Sequence, residues 1–320
     1  MSFVSMAYIT SISRLYKSKT LSRSLITEIL SQSDWKEVME ILKERGFIDD
    51  IPYDISDAEV ILRERAINSL TKLLNLFKSV KISSDIVNLY YYVLTLDEFK
   101  TYVSSVYNKT KIPKLYFLKL DMSASSIDEL QGTTRNSIYG DALNYAISKS
   151  PKDLSQLTSL LDYFFIEKLS AVVETLKGDW KASADSIICA YKDYYSISLA
   201  IRQKLTSNAI CQINQDLIKD LANSTTTDEV LDGLRRSPYS KFMNLSNIYV
   251  ALSSLNKLAK SYARRGAIDS FMGSPFSPIT ALGISEIIRL DLEDLIIILN
   301  GLKLGISKDE IKDKLSFQMI

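Results

Sequence analysis

Asp291, Glu293 and Asp294 stand together in "RLDLEDLIIILNGLKLGISKDEIKDKL", residues 289–315, directly before the apolar run Leu295, Ile296, Ile297, Ile298 and Leu299. Neighbouring carboxylates can divide general acid and general base work between them, so a hydrolytic site is one reading of this stretch. On a helix, residues two apart point away from each other and residues three apart lie side by side. Only Asp291 and Asp294 therefore share a face. The alternative is structural: two carboxylates beside an apolar stripe that hydrogen-bond a neighbouring turn. A membrane anchor is excluded, because a bilayer crossing needs roughly 18 to 20 apolar residues.

The composition weighs against catalysis. The chain has 320 residues and no histidine, which removes the commonest general base and the commonest metal ligand. No Gly-x-x-x-x-Gly-Lys-Ser/Thr run is present and no Gly-rich loop follows a predicted strand, so direct nucleotide binding is not expected. Neither a catalytic residue, a cofactor nor a metal is expected. Cys189 and Cys211 have no zinc-type spacing and offer no disulfide framework, and are read as buried thiols. Lys plus Arg is 39 against 38 for Asp plus Glu, a net charge of +1, which gives no global reason to expect nucleic acid as a partner. Any binding face must be local. The eighteen tyrosines, including "YYY" at 90–92 and "YKDYY" at 191–195, lack a surrounding basic groove and read as helix packing. Arg235 with Arg236 and Arg264 with Arg265 are the paired arginines, expected at solvated helix ends and, secondarily, at a partner contact. The N-terminal stretch carries Arg14, Lys17, Lys19 and Arg23 with no acid before Glu28, a presequence-like composition that reads more simply as a first helix with a basic face.

The elements that position these residues are helices. Gly is 10 and Pro is 6, so little of the chain is suited to strands and tight turns. Apolar residues recur at helical spacing over 57–79, 154–177 and 244–264, with Gly178 as a stop after the second and Ser277 and Pro278 as N-cap and first residue of the last long helix. The pattern repeats. Asp85, Asn88, Leu89 and Val93 match Asp193, Ser196, Ile197 and Ile201, and these match Asp291, Asp294, Leu295 and Leu299. Upstream, Phe47, Tyr139 and Tyr239 correspond. In each case a short acidic amphipathic helix, an aromatic turn and a long apolar helix precede the Asp-x-x-polar helix, which predicts three similar helical units, 1–110, 111–207 and 208–320.

At these residues the chain resembles the C subunit of archaeal and bacterial A/V-type ATP synthases, called the d subunit in the eukaryotic vacuolar proton pump. The C-terminal "PFSPITALGISEIIRLDLEDLIIILNGLKLGISKDEIKDKL" is similar to that family's closing pattern through Asp291, Gly301, Gly305, Ile306, Asp309, Glu310, Ile311 and Leu315. "DYYSISLAIRQK" resembles its middle stretch through Asp193, Ile197, Ile201, Arg202 and Lys204, and "SDIVNLYYYVL" through Asp85, Asn88 and Leu89. Arg289 stands where the family usually has a second acid, Asp294 where it has Asn, and Ile296 and Asn300 where it has arginines.

The resemblance implies an all-α fold of three subdomains in a pseudo-threefold, funnel-shaped arrangement. It also implies a part without a catalytic site, coupling the central-stalk subunits to the membrane rotor ring of a rotary ATPase from the cytoplasmic face, as a peripheral subunit with no transmembrane segment. Asp85, Asn88, Asp193, Ser196, Arg202, Asp291 and Asp294 are then its structural helix motif. The alternative is a helical-repeat scaffold that binds other proteins on a concave face.

Overall fold

The scarcity of glycine and proline is realised as helix along most of the chain. The structure is a computed structural model that describes residues 3–273 and 276–319. Among the described residues it contains fourteen α-helices, two short 3-10 turns and no strand. The helices are α1 (Phe3–Lys17), α2 (Arg23–Ser31), α3 (Trp35–Glu44), α4 (Ile55–Leu76), α5 (Lys81–Asn108), α6 (Ile127–Thr134) and α7 (Ile138–Ser148). They continue with α8 (Leu154–Glu174), α9 (Asp179–Gln203), α10 (Gln215–Asn223), α11 (Thr227–Arg235), α12 (Ile248–Asp269), α13 (Ile279–Lys303) and α14 (Lys308–Lys314).

Short helices are marginal by themselves, because fixing the first turn costs more than its few hydrogen bonds return. The sequence compensates at their N-termini. Asp34 with Glu37, Thr226 with Glu229 and Ser307 with Glu310 form capping boxes on α3, α11 and α14. Each cap satisfies amides that the helix itself cannot pair, and is worth about 0.5–2 kcal/mol.

Two compact units are drawn from interleaved stretches of chain. The first takes Met1–Tyr90, Lys177–Ile187 and Lys260–Ile320. Its axis is α13, which packs against α1, α3, α4 and α14 and is buried on every side from Ile279 to Leu292. A helix buried all round is a core helix, and the charges that this one carries, Glu286, Arg289 and Asp291, are paired within the fold. Gly283 lets α12 and α13 approach closely: a Cβ there would lie 2.2 Å from Ser270 Oγ and 2.9 Å from the Ala267 carbonyl. The second unit takes Tyr91–Leu176 and Ile188–Ala259. In it α7 packs on α6 and α8, and α10 on α11, around an aromatic cluster in which Tyr92 meets Phe164 and Phe99 meets Tyr139.

Three expectations change. The helix expected over 244–264 starts at Ile248, because Asn247 Oδ1 accepts from Val250 N at 2.9 Å and caps it there, and it runs on to Asp269. Pro278 is the N-cap of α13 and not its first residue, while Ser277 Oγ accepts from Ile279 N at 3.2 Å. The cysteines are not buried thiols: Cys189 and Cys211 form a disulfide, with Cα atoms 5.3 Å apart. Cys189 is half-buried on α9 and Cys211 is exposed. Their spacing gave no framework because the bond depends on the loop 204–214 folding back onto α9 from outside the helical pattern.

Two glycines give a matched test of packing. A Cβ at Gly140 would stand 2.2 Å from the Thr134 carbonyl oxygen, whereas one at Gly132, inside α6, meets nothing within 4 Å. Gly140→Ala should lower stability by about 1–3 kcal/mol through overpacking. Gly132→Ala should raise it by up to about 1 kcal/mol through helix propensity. Urea unfolding of the two variants checks both signs.

Candidate functional site

Asp291 and Asp294 do lie side by side on α13, and a buried cation on α12 joins them. Arg264 Nη1 donates to Asp291 Oδ1 at 2.8 Å and Nη2 donates to Asp294 Oδ2 at 3.1 Å. The side chains of Arg264, Asp291 and Asp294 are each at most 5% exposed. The other carboxylate oxygens have donors too. Leu21 N donates to Asp291 Oδ2 at 2.8 Å. Ser316 N and Oγ donate to Asp294 Oδ1 and Oδ2 at 2.9 and 2.6 Å. The guanidinium also donates through Nε to Ser316 Oγ and lies over the Phe317 ring, 3.9 Å from its centroid. Four pieces of chain meet here: α12, α13, the turn before α2 and the segment after α14.

A second ionic cluster occupies another face of α13. Arg289 pairs with Glu286 at 2.7 Å and with Glu293, and Lys260 of α12 reaches Glu293 at 2.8 Å. Burial pushes the Glu293 carboxyl up, but Arg289 and Lys260 outweigh it and hold the group below its ordinary value. Lys260 and Arg264 lie four apart on one face of α12, so this helix contributes a cation to each cluster, beside Arg289 of α13 itself. Further along, Asn300 Nδ2 donates to Glu59 Oε1 at 2.6 Å and ties α13 to α4.

The same chemistry recurs in the second unit. Asp193, fully buried on α9, accepts from Cys211 N at 2.7 Å, Gln212 N at 2.9 Å and the Tyr239 hydroxyl at 2.6 Å. Burial raises its carboxyl above the ordinary range despite these donors. Ser196 Oγ donates to the Ala209 carbonyl at 2.9 Å and is bonded to Ser207 Oγ. On α5 the corresponding work is done by Glu98, which accepts from Tyr116, Phe117 and Leu118 N, each at 2.8 Å. The Tyr139 hydroxyl bonds Thr95 of the same helix at 2.6 Å. Each carboxylate thus holds amides of the segment that leads into a pair of short helices: α2 and α3 for Asp291, α6 and α7 for Glu98, α10 and α11 for Asp193. Phe47 has no hydroxyl; the Arg65 guanidinium lies over its ring, 4.1 Å from the centroid, and donates to the Lys19 carbonyl at 2.9 Å.

The other expected residues are placed as follows. Asp85 and Asn88 are half-buried on α5 and take no hydrogen bond or ion pair among the described residues; sequence pairing chose Asp85 where Glu98 makes the loop contact. Arg202 is exposed at the end of α9. Arg235 pairs with Asp232, Arg236 with Asp220 at 2.9 Å and Arg265 with Asp269 at 3.9 Å, all on exposed side chains. Arg264 is the correction: it was expected at a solvated helix end, yet it is 1% exposed inside α12, because two carboxylates of α13 face it. Its one signal in the sequence was an arginine four residues after Lys260 on a helix otherwise lined with Leu and Ala.

The carboxylates of Asp291 and Asp294 are thus occupied by the chain's own donors, which makes this cluster a tie between segments. Beside it, a cavity of about 660 Å³ is lined by Tyr16, Lys19, Arg45, Phe47, Arg65 and Asp291, with charges of both signs. Among the described residues no group of three or more His, Cys, Asp or Glu is placed to hold a metal ion, and no helix is long and apolar enough to cross a membrane.

Two measurements check the tie. Arg264→Met leaves two buried carboxylates without their cation and should cost about 3–5 kcal/mol in urea unfolding. Burial also pushes the Asp294 carboxyl up to about 6, against the pull of Arg264 and Ser316. A raised carboxyl contributes stability that is fully present below its unfolded value and is lost as pH rises through the folded one. Relative to Asp294→Asn, the native sequence should therefore lose on the order of 2 kcal/mol between about pH 4 and about pH 7. An unchanged difference across that window would reject the assignment.

The sequence model of a family described as ATP synthase (C/AC39) subunit matches residues 9–314, from the middle of α1 to the end of α14. No curated protein matches the chain. The matched span takes in α13, its partners α1, α3, α4 and α12, and all three carboxylate-to-loop contacts, so the chain belongs to the ATP synthase (C/AC39) subunit family, whose members are subunits of A/V-type ATPases.

Proposed function

We propose that the protein is a non-catalytic part of the rotor of an A/V-type ATPase, seated peripherally on the cytoplasmic face and coupling the central stalk to the membrane rotor ring. The observation that carries this reading is the end-to-end family match on a chain whose central helix has its carboxylates engaged internally. A torque-bearing part needs packed helices that pass strain on instead of absorbing it. Buried ion pairs between α12 and α13 and apolar packing along α13 supply such stiffness. In this reading the chain comprises three repeat units, 1–110, 111–207 and 208–320. The recurrence of a carboxylate on loop amides at Glu98, Asp193 and Asp291 supports that division, and Asp85, Asn88, Ser196 and Arg202 remain parts of a structural motif. Arg235, Arg236 and Arg265 are the candidate partner contacts; Arg264 is not.

The purified chain, mixed at micromolar concentration with an isolated central-stalk complex, should co-elute with it in size exclusion and remain bound to a detergent-extracted rotor ring. Separate elution together with a bare ring would reject the coupling role and leave a protein-binding helical scaffold as the better description.

A further inference from the structure

The loop between α5 and α6 has a charge and a geometry that the ties above do not require. Between Glu98 and Asp121 the chain has no acid, while Lys109, Lys111, Lys114 and Lys119 are all exposed. In a chain of net charge +1 this is a local excess. None of the four lysines forms an ion pair among the described residues; Lys114 lies over the Tyr116 ring, 4.6 Å from its centroid. Tyr107 and Tyr116 are 47% and 55% exposed, and Phe117 is half-buried beside Tyr116 at a ring separation of 6.1 Å.

The loop is held in place from α5. Glu98 takes the amides of Tyr116, Phe117 and Leu118, so its charge is spent on the loop's own backbone; Asp121, exposed two residues after Lys119, is the one acid that flanks the lysines on the surface. Lys109, at φ 53°, ends α5, and Thr110 N donates back to the Ser105 carbonyl at 2.9 Å. Further on, the Tyr102 hydroxyl donates to the Asp121 carbonyl at 3.0 Å and accepts from Ala124 N at 3.3 Å. A surface whose backbone is already fixed loses little entropy on binding.

We propose that residues 107–119 form a docking surface for the anionic headgroups of a lipid bilayer. Charge complementarity requires an anionic partner. The side chains choose between a membrane and an acidic protein: all four cations are lysines, compact hydrated charges suited to a diffuse negative surface, and no arginine is present to grip individual carboxylates bidentately. Exposed tyrosines among lysines match the headgroup level, where an aromatic body and a polar tip are both satisfied. The inference uses only this loop and does not depend on the coupling role.

The test is sedimentation of the full chain with phosphatidylcholine vesicles, with and without phosphatidylglycerol. Binding should require phosphatidylglycerol and weaken as salt is raised. The combined variant Lys111→Gln, Lys114→Gln and Lys119→Gln should partition on the order of 100-fold more weakly, at about 1 kcal/mol per lysine and tenfold per 1.4 kcal/mol. If the lysine variant does not fold, Tyr116→Ser, measured alongside the salt series on the native chain, tests the same surface and should also weaken binding. Equal sedimentation with neutral vesicles, an unaffected lysine variant, or capture by poly-glutamate beads without vesicle binding would overturn the proposal, the last in favour of an acidic protein. A chain that binds vesicles but neither stalk nor ring would leave this surface standing and remove only the coupling role.

Discussion

The first compact unit depends on one cation held away from water. Arg264 has two carboxylates, a hydroxyl and an aromatic face around it, and that degree of enclosure is needed for a guanidinium to be tolerated at 1% exposure. Desolvating such ions costs several kcal/mol each, and the mutual attraction offsets this only when geometry is good and the remaining hydrogen-bonding capacity is filled. A buried pair of this kind is weak evidence of high stability. Its clearer effect is on specificity, since α12 and α13 can slide past each other only by breaking both contacts. Leu21 and Ser316 then use the same carboxylates to fix how the chain enters α2 and how it leaves α14.

Glu98, Asp193 and Asp291 show how one device is built with different side chains. In each, a carboxylate in a long helix accepts from backbone amides of a loop that has no helix or strand of its own to pair them. Glu98 takes three amides, Asp193 two and a phenol, Asp291 one and a guanidinium. The longer side chain of Glu98 spans to three consecutive residues, and its position lies thirteen residues beyond Asp85. Sequence matching at fixed helical offsets selects equivalent positions along a helix. The loop, however, selects whichever carboxylate it passes.

This marks what could be read in advance. Helical periodicity announced α4, α8 and α12, and the three-residue spacing of Asp291 and Asp294 put them on one face, because both follow from local geometry. The identity of their partner did not: Arg264 sits in a different helix and pairs through the fold. For the same reason a disulfide was missed at Cys189 and Cys211. A spacing of 22 residues is neutral until the loop 204–214 is known to return to α9. Composition handled the fold class well, while charge counting over the whole chain concealed the lysine-only loop, since a net charge of +1 averages over it.

The bond between Leu21 and Asp291 spans 270 residues, and that between Thr10 and Ser277 spans 267. On a ribosome, α1 to α4 are therefore made long before the helix they pack on. At roughly 5–20 residues per second, the delay between Leu76 and Ile279 is on the order of tens of seconds. During that interval the apolar faces destined for α13 have no partner in the chain, whereas residues 91–176 and 188–259 can already fold together. Assembly of the first unit is in this sense late in order, and its early helices have only one another to pack against until α13 emerges.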